Sequence, residues 1–321
     1  MNKYSRVSIQ AELRPLLELT QRVGSDPLLT QASTGNSSAK VDGVLWIKAS
    51  GRWMADALRE DIFIPLDLAE VTECLRKELD PAERFRSASL ETAMHAALPH
   101  RIVLHVHCVN TIAWAVRSDA PVQLERRLSG LPWRWIPYVP SGLPLGKAIR
   151  PAASGCPGAA VFVLGNHGLV IAAENAETAE ALLIEVKRRL SVPPRPGQPA
   201  DYSLLSEICQ DSEWELPQDE GLHALGTDPI SQSILAGGPL YPCQAIFFGF
   251  PYSYGPALIV RGRGVVVRRS IAPAELAMLS GLAQVVQRIS PSAPVRYLTE
   301  AELAALSTHT THRYRELVSA S

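Results

Sequence analysis

The sequence predicts an α/β protein, and three observations carry that prediction. Short apolar runs at residues 102–108, 159–164 and 169–172 have the length and patterning of strands. Between them lie longer segments of helical character, clearest at residues 8–23, 89–98, 176–190 and 273–289. A proline-rich break at residues 191–200 then divides a long first part from a shorter tail with strands and a helix of its own.

Taken in order, residues 8–23 make an amphipathic helix that Gly24-Ser25-Asp26-Pro27 stops. Ser33-Thr34-Gly35-Asn36-Ser37-Ser38 reads as a small polar loop, followed by one strand over residues 40–48 that runs into Ala49-Ser50-Gly51. A helix starts near Ser89, a good N-cap residue, and Pro99 ends it. Residues 102–108 alternate as a strand, and 159–164 and 169–172 form a hairpin around Gly165-Asn166-His167-Gly168. Asn175 opens the helix over 176–190. Four prolines and a glycine in the ten residues 191–200 suit neither helix nor strand. Acidic loops at 211–220, apolar runs at 245–250 and 257–260, a turn at Arg261-Gly262-Arg263-Gly264, a strand at 265–268 and a helix at 273–289 complete the chain. The expected organisation is a main domain of residues 1–190, a linker of 191–202 and a smaller α/β region of 203–321.

The chain has 321 residues, 46% of them hydrophobic and 20% charged, with a formal net charge of -1. At about 150 residues per domain that is two domains, or one with an extension. Near-neutral balance gives no electrostatic footprint for nucleic acid or for an anionic membrane, so neither is expected as a partner. The amino-terminal residues lack the apolar core of a signal peptide. The longest apolar stretch, 159–173, is broken by its glycine-flanked turn and is shorter than the ~20 residues of a membrane span. The five cysteines Cys74, Cys108, Cys156, Cys209 and Cys243 are scattered and never spaced C-x-x-C, which predicts reduced thiols in a soluble, cytoplasmic protein.

The chemistry is concentrated in three histidines and a glutamate. Period-two alternation puts Val103, His105 and His107 on one face of the strand and Ile102, Leu104 and Val106 on the other. Two imidazoles on one side can then reach a single cation at the ~2.0–2.1 Å of a zinc–nitrogen bond. Cys108, on the opposite face from His107, is excluded from that ion. His167 is presented by a tight turn between two apolar strands and makes a third ligand, leaving the open fourth position of a catalytic zinc. Glu91 lies one helical turn before His95 and fourteen residues before His105, across a helix–proline–strand hinge that brings the two elements together. The loops around Asn36 and around Ser50-Gly51 are rich in small donors and suit a phosphate or carboxylate. No G-x-x-x-x-G-K-[ST] or G-x-G-x-x-G motif supports nucleotide binding. His95 and His100 read as structural, His309 and His312 as surface residues, and His223 as a loop residue.

The order TGNSS, KASG, SLETAMHAALPHRIVLHVH and LGNHGLVIAAENAETAEALL resembles the class II aldolase/adducin family over about residues 32–189, most closely the aldolase part of bacterial rhamnulose-phosphate aldolase/dehydrogenase fusions. The resemblance implies a three-layer α/β/α fold around a mixed central sheet, assembled as a homo-oligomer, typically a tetramer. It implies metal ligation by His105, His107 and His167, Glu91 as the acid/base, and phosphate or substrate binding by Asn36, Ser50, Gly51 and Ser89. The cofactor is expected to be Zn2+, with Mn2+, Fe2+ or Co2+ as alternatives for the same three-histidine set. Two departures from the family pattern stand out. Leu90 occupies the place of a second phosphate-binding serine, and residues 108–132 contain no tyrosine to protonate the leaving aldehyde, the next being Tyr138.

Together these features predict a metal-dependent lyase acting on a ketose, ketose phosphate or ketoacid through a metal-stabilised enediolate, with Glu91 moving the proton at the carbon and its pKa raised by partial burial. An epimerase, dehydratase or decarboxylase would use the same site. A non-catalytic adducin-like binding module is the alternative from another class, set against the intact metal triad.

Overall fold

A computed structural model describes residues 6–248 and 255–306, with side chains from residue 11 onward. Seven strands form the central sheet: β1 (Asn36–Val41), β2 (Val44–Lys48), β3 (Phe63–Asp67), β4 (Ile102–Val106), β5 (Trp133–Ile136), β6 (Val161–Leu164) and β7 (Gly168–Ala173). Their spatial order is β3-β2-β1-β4-β7-β6-β5, and every neighbouring pair is antiparallel except β5 with β6, so the sheet is mixed.

Strand alternation divides the sheet into two apolar faces, as the sequence pattern requires. Ile102, Leu104 and Val106 of β4, with Val161, Val163, Leu169 and Ile171, pack under the helices Arg6–Gly24 and Ala176–Leu190. Val103, Phe162, Val170 and Ala172 point the other way, against Met94 and Leu98 and against Leu145 and Ile149 of the helix Leu143–Ser154. Helix, sheet and helix are the three layers expected.

Three local expectations need correction. The single strand over 40–48 is a hairpin: Asp42 and Gly43 both have positive φ, 49° and 79°, the requirement of a type I′ turn that Asp-Gly meets at low cost. The polar loop 33–38 ends early, because Asn36, Ser37 and Ser38 already belong to β1, where Asn36 pairs with His105. The helix near Ser89 begins only at Thr92, with Glu91 as its N-cap residue, and Ser89 Oγ instead accepts from the backbone N–H of Glu91 at 3.2 Å. Most other boundaries agree closely, although the expected acidic loops at 211–220 contain a short strand, Trp214–Glu215. Asn175 caps the helix Ala176–Leu190 by accepting from Thr178 N–H at 2.8 Å.

Residues 191–200 carry no helix or strand. Arg195 within them donates to Asp228 at 2.9 Å and to the Val286 carbonyl at 2.8 Å, which anchors the segment at its middle. Beyond it, β8 (Trp214–Glu215), β9 (Ala257–Val260) and β10 (Gly264–Arg268) form a second, three-stranded antiparallel sheet in the order β8-β10-β9. The helix Pro273–Val286 buries Met278, Leu279, Leu282, Val285 and Val286 in one apolar cluster with Val109, Ile112, Ala113 and Val116, which belong to or adjoin the helix Val109–Ala115 after β4. The apolar run at 245–250 falls in a helix, Pro242–Phe248, as far as it lies within the described residues. His309 and His312 lie outside them. Among the described residues no helix is long and apolar enough to cross a membrane.

Candidate active site

β4 and the β6–β7 turn deliver the three histidines to one point. His105 lies in β4, and His107 stands just past its end. The chain then folds between β6 and β7 through Asn166, at φ 50°, and His167. The pairing of His105 with Val170 and of Val106 with Leu169 brings that turn alongside the end of β4. A side chain at Gly168 would place its Cβ 2.5 Å from the Val106 carbonyl oxygen and 3.3 Å from His105 Cε1, so only glycine allows this approach. The imidazole centroids are 4.9 Å (His105–His107), 4.9 Å (His105–His167) and 5.2 Å (His107–His167) apart, and one nitrogen from each ring falls within 4.8 Å of the others.

Glu91 reaches the same point from the opposite layer. Its Oε2 is 3.3 Å from His105 Nε2 and its Oε1 is 3.2 Å from His167 Nε2. Asn36 Nδ2 donates to Glu91 Oε2 at 2.8 Å and to Ser89 Oγ at 3.0 Å. The amide is held in that orientation by His95, whose Nε2 meets Asn36 Oδ1 while its Nδ1 meets Ser38 Oγ at 2.7 Å. His95 is therefore more than a framework residue: it sets which end of Asn36 faces the carboxylate. Ser141 Oγ adds a fourth contact to Glu91, at 3.3 Å.

The charge states follow from burial. Desolvation pushes His105 down to about 4, His95 down to about 3 and His107 well below its usual range, so all three rings are neutral near pH 7. Burial by itself pushes the Glu91 carboxyl up, but His105, His167 and His107 around it more than offset this and hold it well below the usual carboxylate range. That reverses the expectation of a raised pKa: Glu91 rests as a carboxylate. Lys48, fully buried at the end of β2, is pushed down to about 7 by desolvation, against the opposing pull of Glu91. Its Nζ donates to the carbonyls of Ser33 at 3.0 Å and Arg52 at 2.6 Å.

The donor set fits a divalent cation. His105 Nδ1 lies 3.0 Å from the Leu169 carbonyl oxygen, which can only accept, so the ring carries its proton there and presents a lone pair from Nε2. That lone pair faces His107 Nε2 at 3.1 Å and the Glu91 carboxylate. His105 Nε2 and the Glu91 carboxylate are two acceptors 3.3 Å apart, which repel unless a positive centre stands between them, and three imidazole nitrogens beside a carboxylate suit zinc, manganese, iron or cobalt.

A cavity of about 630 Å³ opens over this cluster. Glu91, His107 and His167 line it, as do all four expected substrate-binding residues, Asn36, Ser50, Gly51 and Ser89. Lys48 and Ser141, and Cys243 and Ile246 from the C-terminal part, line it too and were not expected. The lysine had a visible signal, a cation closing the apolar run V-L-W-I-K, whereas the others arrive from distant segments. Leu90 also faces the cavity, while Tyr138 is not part of its lining among the described residues and packs beside Arg296, 5.5 Å from ring centroid to guanidinium.

Comparison with known proteins places the architecture. The chain belongs to the class II aldolase and adducin N-terminal domain family, whose model matches residues 15–192, more than half of its length. An uncharacterized oxidoreductase of Bacillus subtilis (strain 168), YuxG, is 27% identical over 186 residues, 51% of this chain; the match covers only 27% of that longer protein. Among solved structures, the N-terminal class II aldolase domain of a conserved protein from Thermoplasma acidophilum is similar with a TM-score of 0.51 and 21% identity, over 59% of this chain and 97% of that one. The L-fuculose-1-phosphate aldolase of Thermus thermophilus matches with a TM-score of 0.40 and 17% identity, over 55% of this chain and 91% of that one. Within that family assignment, the cluster of His105, His107 and His167 is compatible with a divalent metal.

Proposed function

We propose that this chain is a divalent-metal-dependent aldehyde-lyase that cleaves or forms a C–C bond in a ketose, ketose phosphate or ketoacid. The observation that carries the proposal is the contact of one buried carboxylate, Glu91, with two of three converging imidazoles at the floor of a cavity. His105, His107 and His167 would hold the cation, with zinc the first choice for three imidazole nitrogen ligands. When bound, such an ion supplies Lewis-acid stabilisation for negative charge developing on a substrate oxygen.

The remaining steps belong to the chain's own residues. Glu91, resting ionised, accepts a proton at the reacting carbon's hydroxyl or C–H and returns it in the reverse direction. Asn36 keeps the carboxylate aimed by donating to Oε2, and His95 keeps Asn36 from flipping. Ser50, Gly51 and Ser89 offer small donors to the far end of the substrate, with buried Lys48 nearby adding positive charge only below about pH 7. Residues 1–190 act as the catalytic domain, tied through 191–202 to the region 203–321. We further propose a homo-oligomer, on the family pattern of a tetramer, working in the cytoplasm, where five free thiols persist reduced.

Glu91→Gln tests the assignment. The amide keeps the size and loses the base, so turnover with a panel of ketose phosphates and ketoacids should fall by at least ~100-fold, the lower range for a general base, while bound metal is retained. Turnover at the wild-type rate removes Glu91 from the mechanism.

A further inference from the structure

The part of the chain beyond the family match reaches into the proposed metal centre at one atom. His107 Nδ1, the ring nitrogen facing away from the triad, lies 3.6 Å from Cys243 Sγ on the helix Pro242–Phe248. His107 Nε2 faces His105 Nε2 at 3.1 Å. His105 has the same arrangement, with its outward Nδ1 on the Leu169 carbonyl at 3.0 Å. In each ring one nitrogen is turned toward the common point and the other is backed by a neighbouring group. Metal-binding histidines are held this way, because an acceptor for one N–H fixes the tautomer that frees the other nitrogen as a ligand.

A second observation ties the same segment to the third histidine. Asn166, directly before His167, donates through Nδ2 to the carbonyls of Leu240 and Arg296, both at 2.8 Å, and its Oδ1 accepts from Arg296 Nη1 at 2.8 Å. Leu240 stands three residues before Cys243, and its own N–H is held by Gln244 Oε1 at 2.8 Å. Residues 240–244 thus brace both stretches that carry His107 and His167.

We infer that Cys243 is a positioning residue of the metal centre: its sulfur accepts the Nδ1–H of His107 and so turns Nε2, bare, toward the cation. A thiol can accept or donate. With His107 protonated on Nε2 the sulfur would donate instead, and the ring would be no ligand, so metal binding selects the accepting arrangement. The C-terminal region is on this account a structural part of the active site.

The inference rests on the proposed metal binding and can fail separately from it. The experiment is a competitive Zn2+ titration of the full-length protein against a chromophoric chelator, for wild type, C243V, C243A, C243S and the control C209S. Valine fills the space without a hydrogen-bonding atom, and serine restores an acceptor. Removing such a partner typically costs about 10–100-fold in metal affinity, so C243V and C243A should each lose that much, C243S should recover most of it, and C209S should match wild type. Metal-free melting midpoints should stay together across the set. If C243V also lowers the metal-free midpoint, the comparison of C243S with C243A decides: tighter binding by serine supports the role, and equal binding overturns it. C243V with wild-type zinc affinity overturns it as well. Wild-type protein that binds no zinc, manganese, iron or cobalt instead sinks the metal site itself.

Discussion

At the scale of single residues, Asn36 is the side chain that donates to the Glu91 carboxylate and aims it. A hydrogen bond to a charged group contributes about 1.5–3 kcal/mol, so Asn36→Ala should lower kcat by roughly ten- to a hundredfold, since ~1.4 kcal/mol is a factor of ten. Its donor favours the ionised form of Glu91, and removing it raises that pKa. The acid limb of the kcat–pH profile should therefore move to higher pH, and an unmoved limb would free Asn36 of this role. The convergence of His105, His107, His167 and Glu91 was legible in the sequence because short-range patterns mark them: period two for His105 and His107, a glycine-flanked turn for His167, a helix start for Glu91. Cys243 was not, because its contact with His107 spans 136 residues and no local periodicity encodes it. Asn36 was expected to meet substrate. Only the pairing of β1 with β4 shows its amide committed to Glu91, Ser89 and His95.

At the scale of elements, the site depends on how closely the β6–β7 turn approaches β4. Gly168→Ala would push a methyl group against the Val106 carbonyl and the His105 ring. Overpacking of this kind costs about 1–3 kcal/mol, and the displacement falls directly on the two segments that carry His105 with His107 and His167. We expect a lowered melting midpoint together with loss of bound metal, and a fully loaded, equally stable variant would show that the turn tolerates the shift. The sequence pattern located this turn and both its strands. It missed the β1–β2 hairpin, since Asp42-Gly43 sits inside a run whose apolar residues on both sides look like one strand. The positive φ at both positions is the physical reason that the chain reverses there.

At the scale of the whole molecule, buried neutral histidines couple the fold to pH. His95 is held near 3 and His105 near 4, both below the ordinary 6.5 of a solvated ring. Groups whose pKa is depressed by folding contribute their full stability above about 6.5 and lose it as pH falls toward the folded values, because the unfolded chain binds the protons first. The metal-free melting midpoint should therefore drop steadily from pH 6.5 to pH 4, and His95→Gln should flatten part of that slope; a midpoint independent of pH would contradict it. The first part of the chain and its C-terminal part also share apolar contacts, since Val109, Ile112, Ala113 and Val116, in or beside the helix after β4, pack into the C-terminal cluster. Residues 1–190 expressed alone would expose that surface, and we expect them to bind a hydrophobic dye or aggregate, whereas a well-behaved fragment would mean that the shared cluster is dispensable. The proline-rich segment was readable as a break in regular structure; the packing across it was not, because composition says nothing about what two distant apolar faces meet.

The most direct test of the account is the metal content of purified protein. One divalent ion per chain is predicted for wild type and for Glu91→Gln, with loss of that ion when any one of His105, His107 or His167 is replaced by alanine. A wild-type chain that takes up no divalent ion when one is supplied, or a His167→Ala variant that keeps a full complement, would contradict it.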